Sequence, residues 1–193
     1  MIKHRHAVIE NQIKELLHSL GEDVERDGLK ETPKRVSAMY QELLQGYTTS
    51  PKSVFKLFES NDYDGLITVH GIDFYSLCEH HLVPFFGQVH IGYIPNGKIL
   101  GLSKFARLVD VFARRLQVQE HLTTQIADAI MEHLKPKGVI VFALAEHLCM
   151  SMRGVKKKGA VTKTLVMKGV FKEDKQLLDQ FYKQIEPGKS ISF

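Results

Sequence analysis

The stretch Leu66-Ile67-Thr68-Val69-His70-Gly71-Ile72-Asp73-Phe74-Tyr75-Ser76-Leu77 is rich in β-branched and aromatic residues, and it follows the turn signal Asn61-Asp62-Tyr63-Asp64-Gly65. Such side chains pack well on a pleated surface, so the run predicts a long strand rather than a helix. Residues 88–94 read as a second strand, left through Pro95-Asn96-Gly97-Lys98, whose Asn-Gly pair is the strongest short-range hairpin signal. Beyond it, Ser103 is placed to N-cap a helix that carries Phe105, Leu108, Val109, Phe112 and Leu116 on one face. A second helix spans about residues 120–134, with Leu122, Ile126, Ala129, Ile130 and His133 on one side. The continuous apolar run 139–145 predicts a buried strand, the alternating run 161–167 a further one, and residues 173–185 a closing helix. Strand, strand, helix, helix, strand, strand is not the regular alternation of a doubly wound sheet, so the fold class is α+β.

Upstream of that stretch the periodicity changes. Ile9, Ile13, Leu16, Leu17 and Leu20 recur at helical spacing over residues 7–20, and Gly21 follows as a stop. Thr32-Pro33 opens a second helix, because proline at the first helical position has its φ preset and lacks only an N–H that would be unpaired anyway. Val36, Met39, Tyr40, Leu43 and Leu44 supply its apolar face, and Ser50-Pro51 repeats the start signal before Val54, Phe55, Leu57 and Phe58. The expected division is a helical region over 1–60 and a strand-rich domain over 61–193.

The chain has 193 residues, 44% hydrophobic and 25% charged, as ordinary globular proteins do, and no apolar run is long enough to span a bilayer as a helix. The start, Met1 to His6, has no apolar signal core behind its charges, so a cytoplasmic protein is expected. Twenty-six basic against 22 acidic residues give a net charge of +4. That is mild, leaning the surface toward anions without demanding nucleic acid.

The chemistry gathers where the first long strand ends. Cys78-Glu79-His80-His81 is too polar for core, and a Cys and a His three apart on a loop can both reach one ion. Cys149, the only other cysteine, lies at a predicted strand end and can complete three protein ligands. Three ligands leave one position open, the arrangement by which zinc lowers the pKa of a bound water toward about 7. Thiolates favour zinc over magnesium or calcium. Either cysteine alone would read as a small buried hydrophobe, and only the combination with the histidines argues otherwise. Glu146-His147-Leu148-Cys149-Met150 adds a histidine two residues before the third candidate ligand, on the same face of a strand. His80 and His147 are therefore acid and base candidates flanking the metal.

Lys104 and Arg107 are expected in the first turn of the helix opened by Ser103, where backbone N–H groups already favour a phosphate, and Arg153 follows Cys149. Together these cations suggest a polyphosphate substrate, although each alone also fits a solvated surface charge. Lys156-Lys157-Lys158 reads as a solvated basic turn. Glu120, beside Gln119, can accept paired hydrogen bonds from a guanine N1–H and amino group, but an acidic residue at a helix start is also simply a favourable dipole partner.

Taken together, the ordered motifs Glu31-Thr32-Pro33-Lys34-Arg35-Val36, Cys78-Glu79-His80-His81, Gly101-Leu102-Ser103-Lys104, Gln117-Val118-Gln119-Glu120 and His147-Leu148-Cys149-Met150, with Met152-Arg153-Gly154, resemble the GTP cyclohydrolase I family over nearly the whole chain. The resemblance implies a tunnelling (T-fold) domain with an antiparallel sheet and two central helices, assembled into a toroidal homodecamer with sites at subunit interfaces. It implies one Zn2+ per subunit on Cys78, His81 and Cys149, and conversion of GTP and water to 7,8-dihydroneopterin triphosphate and formate, the first step of pterin and tetrahydrofolate synthesis. His80 and His147 would shuttle protons as the imidazole ring of guanine opens, and Ser103 would assist at the ribose. Gln119 and Glu120 would hold the guanine edge. Lys104, Arg107 and Arg153 would hold the triphosphate, with Arg35 of a neighbouring subunit. Neither membrane nor nucleic acid is an expected partner. The chain departs from the family pattern at His121, where many relatives have Arg, at Lys158, often Pro, and at Ala38, where some have a second basic residue. A cyano-deazaguanine reductase of the same fold is the alternative; it would need a lone reactive thiol and no zinc, which the paired Cys/His motifs argue against.

Overall fold

A computed structural model describes residues 2–185, with side chains from His6 onward. Met1 of the charged start therefore lies outside the described residues. The chain forms two compact units, Met1–Gln45 and Gly46–Phe193.

In the first unit, helices α1 (Ile2–Ser19) and α2 (Thr32–Leu43) pack on each other. Pro33 stands in the first turn of α2 as expected, but the residue at the cap position is Glu31 and no side chain caps the helix. Ser37 is fully buried, its hydroxyl 3.2 Å from Nδ1 of His6.

After the 3-10 turns Gln45–Thr48 and Pro51–Val54 the chain leaves helical structure earlier than the sequence reading placed it. Leu57–Glu59 (β1) is a strand, paired antiparallel with Lys98–Leu100 (β4) through Phe58 opposite Ile99. Three residues carry too little periodicity to announce a strand without the partner. The main sheet has five strands in the order β5-β2-β3-β6-β7: Leu116–Gln117, Ile67–Cys78, Pro84–Ile94, Gly138–His147 and Val161–Gly169. All neighbours are antiparallel except β5, which runs parallel to β2. Strand β2 is interrupted by a bulge between Val69 and Ile72, where Gly71 adopts φ +69°, a left-handed conformation that glycine reaches without steric penalty.

Helices α3 (Leu102–Ala113) and α4 (Gln119–His133) cover one face of the sheet. Their apolar stripes, Phe105, Leu108 and Val109 with Leu122, Ile126 and Ile130, are buried against Phe74, Phe85, Val89 and Val141. Each such side chain contributes on the order of 1.5–3 kcal/mol by leaving water. Alternation along the strands sends Ile140 to the opposite face, where Phe181 and Ile185 of α6 (Lys175–Ile185) close over it with Phe171. Strand β6 is covered on both faces, which is why its sequence is apolar without alternation.

Two boundaries matter for the site. Helix α3 begins at Leu102 with Gly101 at its cap, so Ser103 is inside the first turn and does not cap it, while Arg107 falls in the second turn rather than the first. Strand β6 ends at His147, and Leu148–Ser151 form a one-turn helix, α5. Cys149 and Arg153 are thus off the strand, not on one of its faces.

Candidate metal centre and active site

Cys78 is the last residue of β2, and the chain turns sharply after it. The N–H of Cys78 donates to Val83 O at 2.9 Å, and those of His81 and Leu82 donate back to Cys78 O at 3.3 and 2.9 Å. That turn holds His80 and His81 over the strand end. The N–H of Glu79 donates to Gln117 O at 3.1 Å, anchoring the turn to β5. Strand β3 separates β2 from β6, and Phe85 pairs with His147 directly across it. The β6–α5 junction therefore arrives beside the β2 turn, bringing Cys149 to residues about seventy positions earlier in sequence.

The ligand atoms of Cys78, His81 and Cys149 all lie within 4.8 Å of one another, Cys78 Sγ being 4.0 Å from His81 Nδ1. Ligands of a tetrahedral zinc stand roughly 3.5–3.8 Å apart, given bonds of about 2.3 Å to sulfur and 2.0–2.1 Å to nitrogen. The cluster fits such an ion with sub-ångström to ångström adjustments, and both cysteines are free thiols. Two sulfurs and an imidazole form a soft donor set, suited to zinc and poorly suited to magnesium or calcium. Burial pushes the Cys149 thiol up, and the neighbouring Cys78 adds to it. A cation among the three groups removes that penalty by binding the thiolates.

His80 is exposed, with Nδ1 3.8 Å from Cys78 Sγ and its ring 6.2 Å from that of His81. Glu79 lies 3.8 Å from its other nitrogen. His147 is held more firmly. Its ring stacks parallel on Phe85 with centroids 4.7 Å apart, and its Nε2 lies 2.8 Å from Gln119 Oε1. Burial lowers the His147 pKa, opposed by the Glu120 carboxylate.

Glu120 is exposed at the second position of α4, while Gln119 at the first is only 1% exposed. All the Gln119 amide hydrogen bonds run inside the protein, to Ala143 O, Thr162 O, Thr164 Oγ1 and His147. Arg153 is exposed and close enough to Cys149 to act on its thiol electrostatically. Ser103 and Arg107 are exposed and Lys104 half-buried on α3. None of these three is a hydrogen-bond or ion-pair partner of the cluster among the described residues. Arg35 is exposed on α2, in the other unit.

The sequence reading missed Phe85, which fixes the His147 ring plane, and Thr123 and Thr164, which reach the Gln119 amide. For Thr164 the signal was present: Thr162 and Thr164 share one face of an alternating strand, too polar for simple core.

A family model described as GTP cyclohydrolase I matches residues 9–186. The protein called GTP cyclohydrolase 1 of Clostridium kluyveri is 48% identical over 181 residues, 92% of this chain and 98% of the relative. That of Thermobifida fusca is 55% identical over 86% of this chain and 81% of the relative, and that of Mycobacterium tuberculosis 54% identical over 84% and 82%. Among solved structures, an archaeosine synthase QueF-Like in the apo form aligns with TM-score 0.46 at 19% identity, over 54% of this chain and 93% of that one.

Proposed function

Since the chain belongs to the GTP cyclohydrolase I family, and with it has that family's T-fold and its activity on GTP, we propose that Cys78, His81 and Cys149 hold one Zn2+ and that the products are 7,8-dihydroneopterin triphosphate and formate. The observation that carries the reading is the convergence of two thiols and an imidazole within 4.8 Å, beside a histidine clamped by Phe85 and Gln119. A bound Zn2+ supplies Lewis acidity, which brings a water toward ionisation near neutral pH.

In this proposal His147 exchanges protons with the opening imidazole ring of guanine, and its burial, which lowers the pKa, favours the neutral imidazole. His80, exposed beside the Cys78 sulfur, serves as the second proton carrier. The exposed Glu120 carboxylate receives the guanine N1–H and amino group, and Gln119 supports that edge from behind. Ser103 assists at the ribose. Lys104, Arg107 and Arg153 neutralise the triphosphate through charge-assisted hydrogen bonds, with Arg35 of a neighbouring subunit. The chain works as a homodecamer in the cytoplasm, without nucleic-acid or membrane partners. Among the described residues no helix is long and apolar enough to cross a membrane.

Incubating zinc-loaded protein with GTP and following formate release together with fluorescence of the oxidised pterin tests the reading. Both signals are expected, and a chelator is expected to abolish both. Turnover that survives complete metal removal would overturn the zinc assignment, and formate without pterin would overturn the assigned product.

A further inference from the structure

The hydrogen bonds around Gln119 have directions that follow from their partners alone. Ala143 O and Thr162 O are carbonyls and only accept, so the amide atom 3.1 Å from each is the nitrogen. The other end of the amide, Oε1, therefore faces His147 Nε2 at 2.8 Å. An amide oxygen only accepts, so Nε2 must carry a proton. A bare Nε2 would set lone pairs face to face at hydrogen-bond distance.

A second layer locks the amide in this orientation. Thr123 Oγ1 donates to Gln119 O at 2.7 Å, leaving it only lone pairs to offer Thr164 Oγ1 at 2.6 Å. Thr164 then donates to Thr123 and turns a lone pair toward the Gln119 nitrogen, 3.2 Å away. Gln119 and Thr123 are 1% and 0% exposed, so a reversed amide would leave polar groups unpaired away from water. The parallel Phe85 ring removes the remaining freedom of the imidazole plane.

We propose that Gln119 is a positioning residue, backed by Thr164 and Thr123, that keeps His147 protonated at Nε2 in both of its charge states, so that the catalytic proton enters and leaves only at Nδ1. The inference rests on the reading of His147 as a proton carrier. Neutral His147 offers the Nδ1 lone pair; on taking a proton it forms an Nδ1–H bond as the donor's bond breaks, and it returns that proton from the same atom. The bond to Gln119 keeps its direction throughout, so no polar group in the network has to reorient during turnover.

Neutron crystallography of the zinc-loaded protein at neutral pD reads the assignment directly. Deuterium is expected on His147 Nε2, with or without a second on Nδ1, and deuterium on Nδ1 alone overturns the proposal. Kinetics supply the second arm. Thr164→Val, which keeps the side-chain shape, is expected to lower kcat roughly 10-fold with KM for GTP nearly unchanged, and Thr164→Ser to restore kcat. A raised KM at unchanged kcat in Thr164→Val and Gln119→Leu would assign the network to substrate holding and overturn the positioning role. Failure of the underlying reading looks different: His147→Ala would then turn over at the wild-type rate, whatever the neutron density shows.

Discussion

At the scale of single residues the proposed mechanism separates groups that hold an ion from groups that move protons. Cys149 is the proposed ligand that arrives from the end of β6, across β3 from the other two, so Cys149→Ser is expected to lose zinc and turnover together. Metal analysis of the purified variant decides it, and full zinc occupancy would remove Cys149 from the ligand set. His147 is hydrogen-bonded to Gln119 and is not one of the three clustered residues. His147→Ala should therefore keep its zinc while kcat falls about 10²–10⁴-fold, the usual contribution of a positioned acid or base. Arg153 acts on phosphate in this reading, so Arg153→Ala should weaken GTP far more than guanosine in binding measurements. Equal losses for both ligands would exclude a phosphate contact.

At the scale of elements, stability depends on how closely β3 lies against its neighbours. A Cβ on Gly87 would collide with backbone of Leu144 and Ala145 on β6, atoms that cannot swing aside. Gly87→Ala is expected to cost about 1–3 kcal/mol, read as a lowered urea midpoint. On the same strand His90 is 5% exposed, accepts the Gly71 N–H at Nδ1 and stacks on His70. Burial, with the His70 charge adding to it, lowers its pKa from 6.5 to about 4. The folded chain keeps His90 neutral where the unfolded chain protonates it. The stability this represents, on the order of 3 kcal/mol, is fully present above pH 6.5 and is lost as pH falls toward 4. Urea midpoints of His90→Gln should change less steeply than wild type over that interval, and parallel slopes would refute the assignment.

The long strands and helices were legible in sequence because each declares itself through ten or so residues of period. The segments Leu57–Glu59, Leu116–Gln117 and Leu148–Ser151 were not, since two to four residues owe their conformation to a partner strand or to the turn they close. The site divides in the same way. The closeness of Cys78 and His81 could be read because three positions of loop set their separation. The commitment of Gln119 to His147 could not, because its amide is oriented by Ala143, Thr162 and Thr164, 24 to 45 positions away.

At the scale of the whole molecule the sheet ends in two unlike edges. Strand β5 has two residues, whereas β7 offers nine, with Val161 and Leu165 exposed along it. A long, partly apolar edge is a template for another chain, and the proposed homodecamer would cover it. Sedimentation of the zinc-loaded protein is expected to give about 220 kDa, ten copies of the 22.0 kDa chain, and a monomeric mass at micromolar concentration would exclude the decamer. The placement of the proposed ligands also sets a clock. Cys78 and His81 leave the ribosome 68 or more residues before Cys149, an interval of several seconds at about 5–20 residues per second. During it the nascent chain offers any passing ion only two of the three proposed ligands. On the proposed ligand set, firm capture waits until β6 has paired with β3 and carried the last sulfur into place, so that loading with metal would be a receipt for a correctly finished sheet.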